Sequence, residues 1–159
     1  MKNALTVRGA AEADISEIHK LLNIYAEQQI VLPRSKEDIR NYLDNFVVAR
    51  LENDLCGCCA VRDFDNNLLE VRSLVVRPGL EGKGIGRAMV EAIIAGLKLD
   101  RDHFCLFALT YQEKFFQRLG FHLVVKEMFP QKIWSDCVNC PKKDNCDELA
   151  VVFQYDGEK

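Results

Sequence analysis

The sequence predicts an α/β domain, and two observations carry that expectation. Apolar segments of strand length alternate with segments whose apolar residues recur at helical spacing. Near the middle, the apolar run Leu74 to Val76 leads into a loop with glycines at 79, 82, 84 and 86, and a long amphipathic pattern, Ala88 to Leu97, follows. A strand, a glycine loop and a helix start in that order make an anion site. The first N–H groups of a helix have no partner within it, and the helix dipole favours negative charge there. Glycines let backbone approach a phosphate with no Cβ in the way. The unit reads as the binding place of a pyrophosphate-bearing compound; the plainer alternative is a glycine turn ahead of a helix.

The elements follow in order. Leu5 to Gly9 is a short first strand. Ile15, Ile18, Leu21, Leu22 and Tyr25 recur at helical spacing, so an amphipathic helix starts from about Asp14. Ser35 begins a second helix, with Asp38 in the position of a capping-box variant and Ile39, Tyr42 and Leu43 facing inward. Phe46 to Leu51 and Leu55 to Phe64 are paired strands across the turn Glu52-Asn53-Asp54. The turn Asp65-Asn66-Asn67 leads into a further strand, Leu68 to Val76. After the central helix come a fifth strand, His103 to Leu109, a sixth, Phe121 to Lys126, and a seventh, Glu148 to Tyr155. A short helix precedes Gly120, which reads as its left-handed stop.

Composition narrows the function classes. With 159 residues and 48% hydrophobic composition, a single compact domain over 1–159 with its own core is expected. A net charge of −3 gives no electrostatic case for nucleic acid. No apolar run approaches the ~18–20 residues of a membrane span, and the N-terminal segment does not read as a secretory signal. A cytoplasmic enzyme is the expectation, with most of the seven cysteines reduced. The sequence does not dictate an oligomeric state; a homodimer is compatible with it.

The loop spacing decides among phosphate binders. An ATP-type P-loop needs Gly-Lys-Ser/Thr, but Ile85 and Gly86 follow Gly84. A dinucleotide fingerprint needs G-x-G-x-x-G at the opening of a βαβ unit, and here G-x-G-x-G lies mid-chain. Val76-Arg77-Pro78 followed by Glu81-Gly82-Lys83-Gly84-Ile85-Gly86 instead resembles the acetyl-CoA pyrophosphate loop of the GNAT N-acetyltransferases, Gln/Arg-x-x-Gly-x-Gly/Ala. Glu81 stands where Gln or Arg is usual, an unhelpful charge unless it points to solvent, with Lys83 and Arg87 as offsetting cations. A second stretch, Tyr111 to Phe121, resembles the family's short helix ending in Leu-Gly-Phe. Many members carry there, four residues before the Gly, a Tyr that protonates the CoA thiolate. This chain has Phe116, a cofactor contact with no proton to give, and Tyr111 lies nearby in sequence.

The resemblance covers nearly the whole chain and implies the GNAT fold: a mixed seven-stranded sheet with splayed central strands and about four flanking helices. It implies acetyl-CoA as cosubstrate, held by Leu74, Val75 and Val76 along the pantetheine arm and by residues 81–87 at the pyrophosphate. A backbone N–H at Leu74 would polarise the thioester carbonyl. An amine attacks directly, with no acyl-enzyme, and Glu70 is the candidate base, against the reading of a solvated strand-edge carboxylate.

Three further stretches point to the acceptor. Ile30 to Ile39 resembles the Leu-Val-x-Arg-Ser-x-Glu-x-Leu segment of N-acetylglutamate synthases, where the Arg binds a substrate carboxylate; the match falls on Arg34. Leu69 to Val76 resembles the Glu-Ile-Arg-Ser-Leu-Ala-Val strand of short synthases that lack a kinase domain. By alternation it puts Glu70, Arg72 and Leu74 on one face, with Arg72 beside Glu70. Phe129 to Trp134 resembles their Leu-Pro-x-Lys segment and makes Lys132 a third cation. The resemblance thus implies L-glutamate as acceptor and a place in arginine biosynthesis. The alternatives are another amine (a polyamine, a xenobiotic or a protein N-terminus) and a catalytically silent CoA-binding or metal-binding regulatory module.

The segment 136–147, before the last strand, carries Cys137, Cys140 and Cys146. Three thiols on a short loop are free thiols, or three ligands of a structural zinc whose fourth ligand comes from elsewhere, or a redox switch. Cys56, Cys58, Cys59 and Cys105 read as small buried hydrophobes on strands.

Overall fold

The computed structural model describes residues 5–125 and 149–157. Seven strands form one mixed sheet in the order β1-β2-β3-β4-β5-β7-β6. They are β1 (Leu5–Gly9), β2 (Phe46–Leu51), β3 (Asp54–Asp63), β4 (Leu68–Val76), β5 (Phe104–Thr110), β6 (His122–Val124) and β7 (Leu149–Tyr155). The helices are α1 (Ile15–Ala26), α2 (Lys36–Asn41), α3 (Ile85–Asp100) and α4 (Glu113–Arg118). Among the described residues, the α/β class, the seven strands and the four α-helices are those expected from the sequence.

The chain forms two compact units. One holds the residues up to Arg62 together with Val71–Gly96. Its core is built from the apolar stripe of α1 (Ile15, Ile18, Leu21 and Leu22), Ile39 of α2, and inward residues of β2, β3 and β4. Burying each such Ile or Leu contributes about 1.5–3 kcal/mol. The β2–β3 pair is antiparallel, with a register shift between Ala49 and Arg50. Ser35 caps α2 as expected, its hydroxyl accepting from the Asp38 N–H at 3.0 Å. Two details of that region depart from expectation. The Asp38 carboxylate does not complete a capping box; it accepts from Arg34 Nε at 2.6 Å. Tyr42 is 53% exposed rather than inward, because α2 ends at Asn41 and the backbone at Tyr42 (φ −115°, ψ 23°) leaves the helical register.

A buried carboxylate ties this unit together. Asp14, at the start of α1, is 1% exposed. It accepts from Arg8 of β1 at 2.8 and 3.1 Å, from Arg50 of β2 at 2.5 Å, and from the Ala11 N–H at 2.7 Å. Burial pushes its carboxyl up, but the hydrogen bonds from Arg8, Arg50 and Ala11 outweigh that and hold it well below the usual carboxylate range.

The second unit holds Asp63–Glu70 and the chain from Leu97 onward. The opening of β4 pairs in parallel with β5, from Leu68 with Cys105 to Glu70 with Phe107. β5 and β6 both run antiparallel to β7. Phe64, Phe107, Ala150 and Val152 form its core. The turn before β4 places Asp65, Asn66 and Asn67 in the left-handed region (φ 71°, 57° and 63°), which Asp and Asn tolerate best among non-glycines. Arg101 holds that turn through Asn67 Oδ1 at 2.9 Å and Asp63 Oδ2 at 3.0 Å. α4 ends as expected at Gly120 (φ +98°), and the Phe121 N–H reaches back to the Phe116 carbonyl at 3.1 Å.

Replacing Asp14 with Asn should cost about 3 kcal/mol at neutral pH, since it removes the buried carboxylate that Arg8 and Arg50 share, although Arg50 keeps Glu17 at 2.7 Å. The lower end of the range applies because Arg8 is half-exposed and screened. The folded carboxyl titrates below its ordinary value of 3.8, so this stabilisation is complete above that pH and fades as pH falls towards the depressed value. Urea midpoints from pH 7 down to pH 2 should show the gap between wild type and Asp14→Asn constant above pH 3.8 and narrowing below it.

Candidate active site

The anion-binding unit of the sequence lies within the first compact unit, and several tethers fix it. At the end of β4 the Arg77 N–H donates to the Cys56 carbonyl at 2.7 Å, and Arg77 Nη2 donates to the Leu55 carbonyl at 3.0 Å. The Tyr25 hydroxyl donates to the Val76 carbonyl at 2.5 Å. The loop then turns at Gly79, Gly82 and Gly84 (φ +93°, +78° and +83°), and a Cβ at any of them would meet nothing within 4 Å. Positive φ beside open space is the cradle that a phosphate needs and that L side chains disfavour.

The helix starts one residue after the last of these glycines. The Gly84 carbonyl accepts from Ala88 N at 3.0 Å, so α3 begins at Ile85, and Gly86 belongs to its first turn rather than to the loop. Ile85 and Met89 are buried, which seats that turn on β3 and β4. A Cβ on Gly57 of β3 would come within 2.9 Å of Met89 Cε, 3.1 Å of the Val75 carbonyl oxygen and 3.2 Å of Ile85 Cγ2.

The charges on the loop differ from expectation in one respect. The exposed Glu81 carboxylate turns back on its own loop and accepts from the Gly79 N–H at 2.7 and 3.2 Å. Its charge is also felt by Tyr25, whose hydroxyl is pushed up by burial first and by Glu81 second. Lys83 and Arg87 are exposed, and Arg87 shares its charge with Glu91 one helical turn on, at 3.3 Å.

Arg34 is held in place on four sides. Its side chain is 16% exposed, Nε is 2.6 Å from Asp38, and Nη1 lies 3.5 Å from the Ser73 hydroxyl. Its guanidinium carbon sits 4.8 Å over the Phe46 ring and 5.8 Å over the Tyr42 ring, an arrangement that restrains the plane of the group. Asp38 takes the Nε corner and leaves the end-on Nη1/Nη2 fork, the geometry that grips a carboxylate with two parallel bonds.

β4 itself is irregular at this point. Ser73 is in the left-handed region at φ +53°, a conformation that costs a non-glycine residue about 1–3 kcal/mol. It lies between Arg72 and Leu74 and interrupts the two-residue alternation at that step. Arg72 and Leu74 are both partly buried in the first unit, whereas Glu70 is 7% exposed and belongs to the second.

Phe116, also in the second unit, is buried between Phe115 and Phe121, each ring 5.0 Å away. Lys132, Cys137, Cys140 and Cys146 lie outside the described residues. Among the described residues no group of three or more His, Cys, Asp or Glu is placed to hold a metal ion. Burial pushes the Cys58 thiol up to about 12, Cys59 well above its ordinary value, and Cys56 and the half-buried Cys105 upward, so none of the four is activated as a nucleophile. Sequence reasoning missed Ser73, Asp38 and Tyr25 as parts of this region. Tyr25 carried the signal of an inward helical residue, and a lone Ser within a strand carries none.

The sequence pattern of the acetyltransferase (GNAT) domain matches residues 43–123, which span β2 to β6 and include the whole glycine loop. The chain belongs to the GNAT family. It is an acyl-CoA-dependent N-acetyltransferase with acetyl-CoA as its cosubstrate. An uncharacterized N-acetyltransferase of Chlorobaculum tepidum is 43% identical over 92% of this chain and 94% of its own length. An amino-acid acetyltransferase of Mycobacterium tuberculosis is 32% identical over 72% of this chain and 67% of its own. In fold, the chain resembles N-acetylglutamate synthase from Neisseria gonorrhoeae, complexed with coenzyme A and N-acetyl-glutamate, with a TM-score of 0.81 at 24% identity. That likeness covers 97% of this chain and 36% of the synthase. No helix among the described residues of the transferase is long and apolar enough to cross a membrane.

Gly57→Ala in this GNAT enzyme should lower stability by about 1–3 kcal/mol, because the Val75 carbonyl cannot move aside as the Met89 tip can. A urea melt at neutral pH measures it.

Proposed function

We propose that the enzyme transfers the acetyl group of acetyl-CoA to the amine of an acidic amino acid, L-glutamate foremost, in the cytoplasm and as a step of arginine biosynthesis. The observation that carries this reading is Arg34: a guanidinium held by Asp38 and two aromatic rings, with its end-on fork left for a carboxylate. The kinship with an amino-acid acetyltransferase supports it. Arg72 and Lys132 are assigned to the second carboxylate of the same substrate, and residues 1–159 to a single catalytic domain.

The cofactor loop takes the pyrophosphate. The N–H groups of Gly82 to Arg87 and the N-terminal end of α3 face the negative charge, and Lys83 adds a point charge. Glu81 spends its carboxylate on Gly79 instead of contributing a donor. The backbone of Leu74, Val75 and Val76 pairs with the pantetheine arm. Tyr25 already occupies one lone pair of the Val76 carbonyl, which fixes the direction of that edge. A Leu74 N–H steadies the negative charge that develops on the thioester oxygen.

In the reaction Glu70 takes a proton from the substrate ammonium. The neutral amine then attacks the carbonyl carbon, the C–N bond forms, the C–S bond breaks with its electron pair leaving on sulfur, and the new amide nitrogen loses its second proton to solvent. Phe116 has no proton to give to that thiolate, so solvent protonates it.

The reading is tested by CoA release with L-glutamate, L-aspartate, L-glutamine and a polyamine side by side. Turnover selective for L-glutamate is expected. Turnover with the polyamine alone would contradict the carboxylate clamp and favour a second reading, another amine, to which the charge pairing of Arg34 with Asp38 already lends weight. Arg34→Ala should raise the KM for L-glutamate by about tenfold to a hundredfold, the value of a charged hydrogen-bonded contact, and leave the KM for acetyl-CoA unchanged. Gly84→Ala should do the reverse, raising the KM for acetyl-CoA by about tenfold, because an L side chain is strained at φ +83° and its Cβ fills the cradle.

A further inference from the structure

The left-handed residue in β4 lies beside the carboxylate clamp. Ser73 holds φ +53° in the middle of a strand, where serine gains nothing from that conformation and glycine would adopt it without strain. Strain of this kind persists where the surroundings over-determine it, and it concentrates at ligand clamps. Two contacts reach Ser73 here. The Cys58 thiol, buried on β3, lies 3.7 Å from the Ser73 carbonyl, and Arg34 Nη1 lies 3.5 Å from the Ser73 hydroxyl.

The second contact has a chemical consequence. A guanidinium carries only donors, so beside Arg34 the Ser73 oxygen must accept, and its own hydrogen is left for a different acceptor. At 3.5 Å the contact is at the long limit of a hydrogen bond and satisfies neither group fully. Arg34 Nη2 makes no hydrogen bond to any described residue, since Nε and Nη1 account for the polar contacts of the group. Two guanidinium N–H groups and one hydroxyl hydrogen are thus presented side by side, and all three are donors. The ligand that satisfies them is an anion with two oxygens on one atom.

We propose that Ser73 is a substrate-binding residue: its hydroxyl, held beside Arg34 by the left-handed turn of β4, donates to the same carboxylate that Arg34 grips. This rests on the carboxylate clamp of the proposed function and gives that clamp a second donor. It also gives the strain in β4 a purpose, since an extended residue at position 73 would carry its side chain along the ordinary alternation of the strand.

The test is steady-state kinetics of the full chain with acetyl-CoA and L-glutamate, comparing wild type with Ser73→Ala, Ser73→Gly and Arg34→Ala, alongside thermal melts. Both Ser73 variants should raise the KM for L-glutamate about tenfold, the value of one hydrogen bond to a charged group, with kcat and the KM for acetyl-CoA within about twofold. Ser73→Gly should also raise the melting temperature by a few degrees, so that stability and substrate affinity move in opposite directions; a purely structural serine would not do this. Ser73→Gly decides the matter even if Ser73→Ala is poorly folded. An unchanged KM in Ser73→Gly with a raised KM in Arg34→Ala overturns the role of Ser73 and leaves the clamp standing. An unchanged KM in Arg34→Ala, or no turnover of L-glutamate by wild type, overturns the clamp and the role of Ser73 with it.

Discussion

The first turn of α3 can bear on β3 only because residue 57 has no side chain. Ile85 and Met89 close over that glycine, and the Val75 carbonyl completes the contact from the neighbouring strand. This one close approach sets where the N-terminus of α3 points, and with it the direction of the helix N–H groups and of the dipole. The glycine loop that precedes the helix is fixed at its other end by Arg77 on Leu55 and Cys56, and by Tyr25 on Val76. The loop therefore hangs between two anchored points. Its glycines need supply only local freedom, because the neighbouring strands and α1 supply the position.

The same unit carries the groups that would recognise an acceptor. Arg34 is buried enough to be rigid and exposed enough to meet a ligand, and Asp38 offsets its charge without closing the end-on fork. Two thiols under this region, Cys56 and Cys58, keep the floor apolar. Burial holds them protonated, so they add volume without adding charge. The Asp14 cluster does the structural counterpart: it locks β1, β2 and the start of α1 through one buried carboxylate.

The regular elements were legible in the sequence because their patterns are periodic and their boundaries are marked. β1 and β4 have the expected limits, and the three-residue turn before β4 and the stop at Gly120 are written in Asn, Asp and Gly. Boundaries shifted where a residue served two roles. Gly86 reads as loop because glycine is a poor helix former, yet the bond from Ala88 to Gly84 draws it into α3. Tyr42 reads as inward by helical spacing, but α2 is too short to carry the spacing that far. Glu81 and Arg34 were found by motif; their partners were not. That Glu81 caps Gly79, and that Arg34 is gripped by Asp38, Phe46 and Tyr42, depends on side-chain placement that no spacing encodes. The left-handed backbone at Ser73 has no sequence signature at all, since serine is a common and undemanding strand-edge residue.

The most direct test of the central claim, that the anchored loop and the start of α3 are the cosubstrate site, is backbone hydrogen exchange with and without saturating CoA. Slowed exchange is expected at the amides of Gly82 to Arg87 and of Leu74 to Val76. Bound CoA that leaves those amides exchanging at their free rates would contradict it.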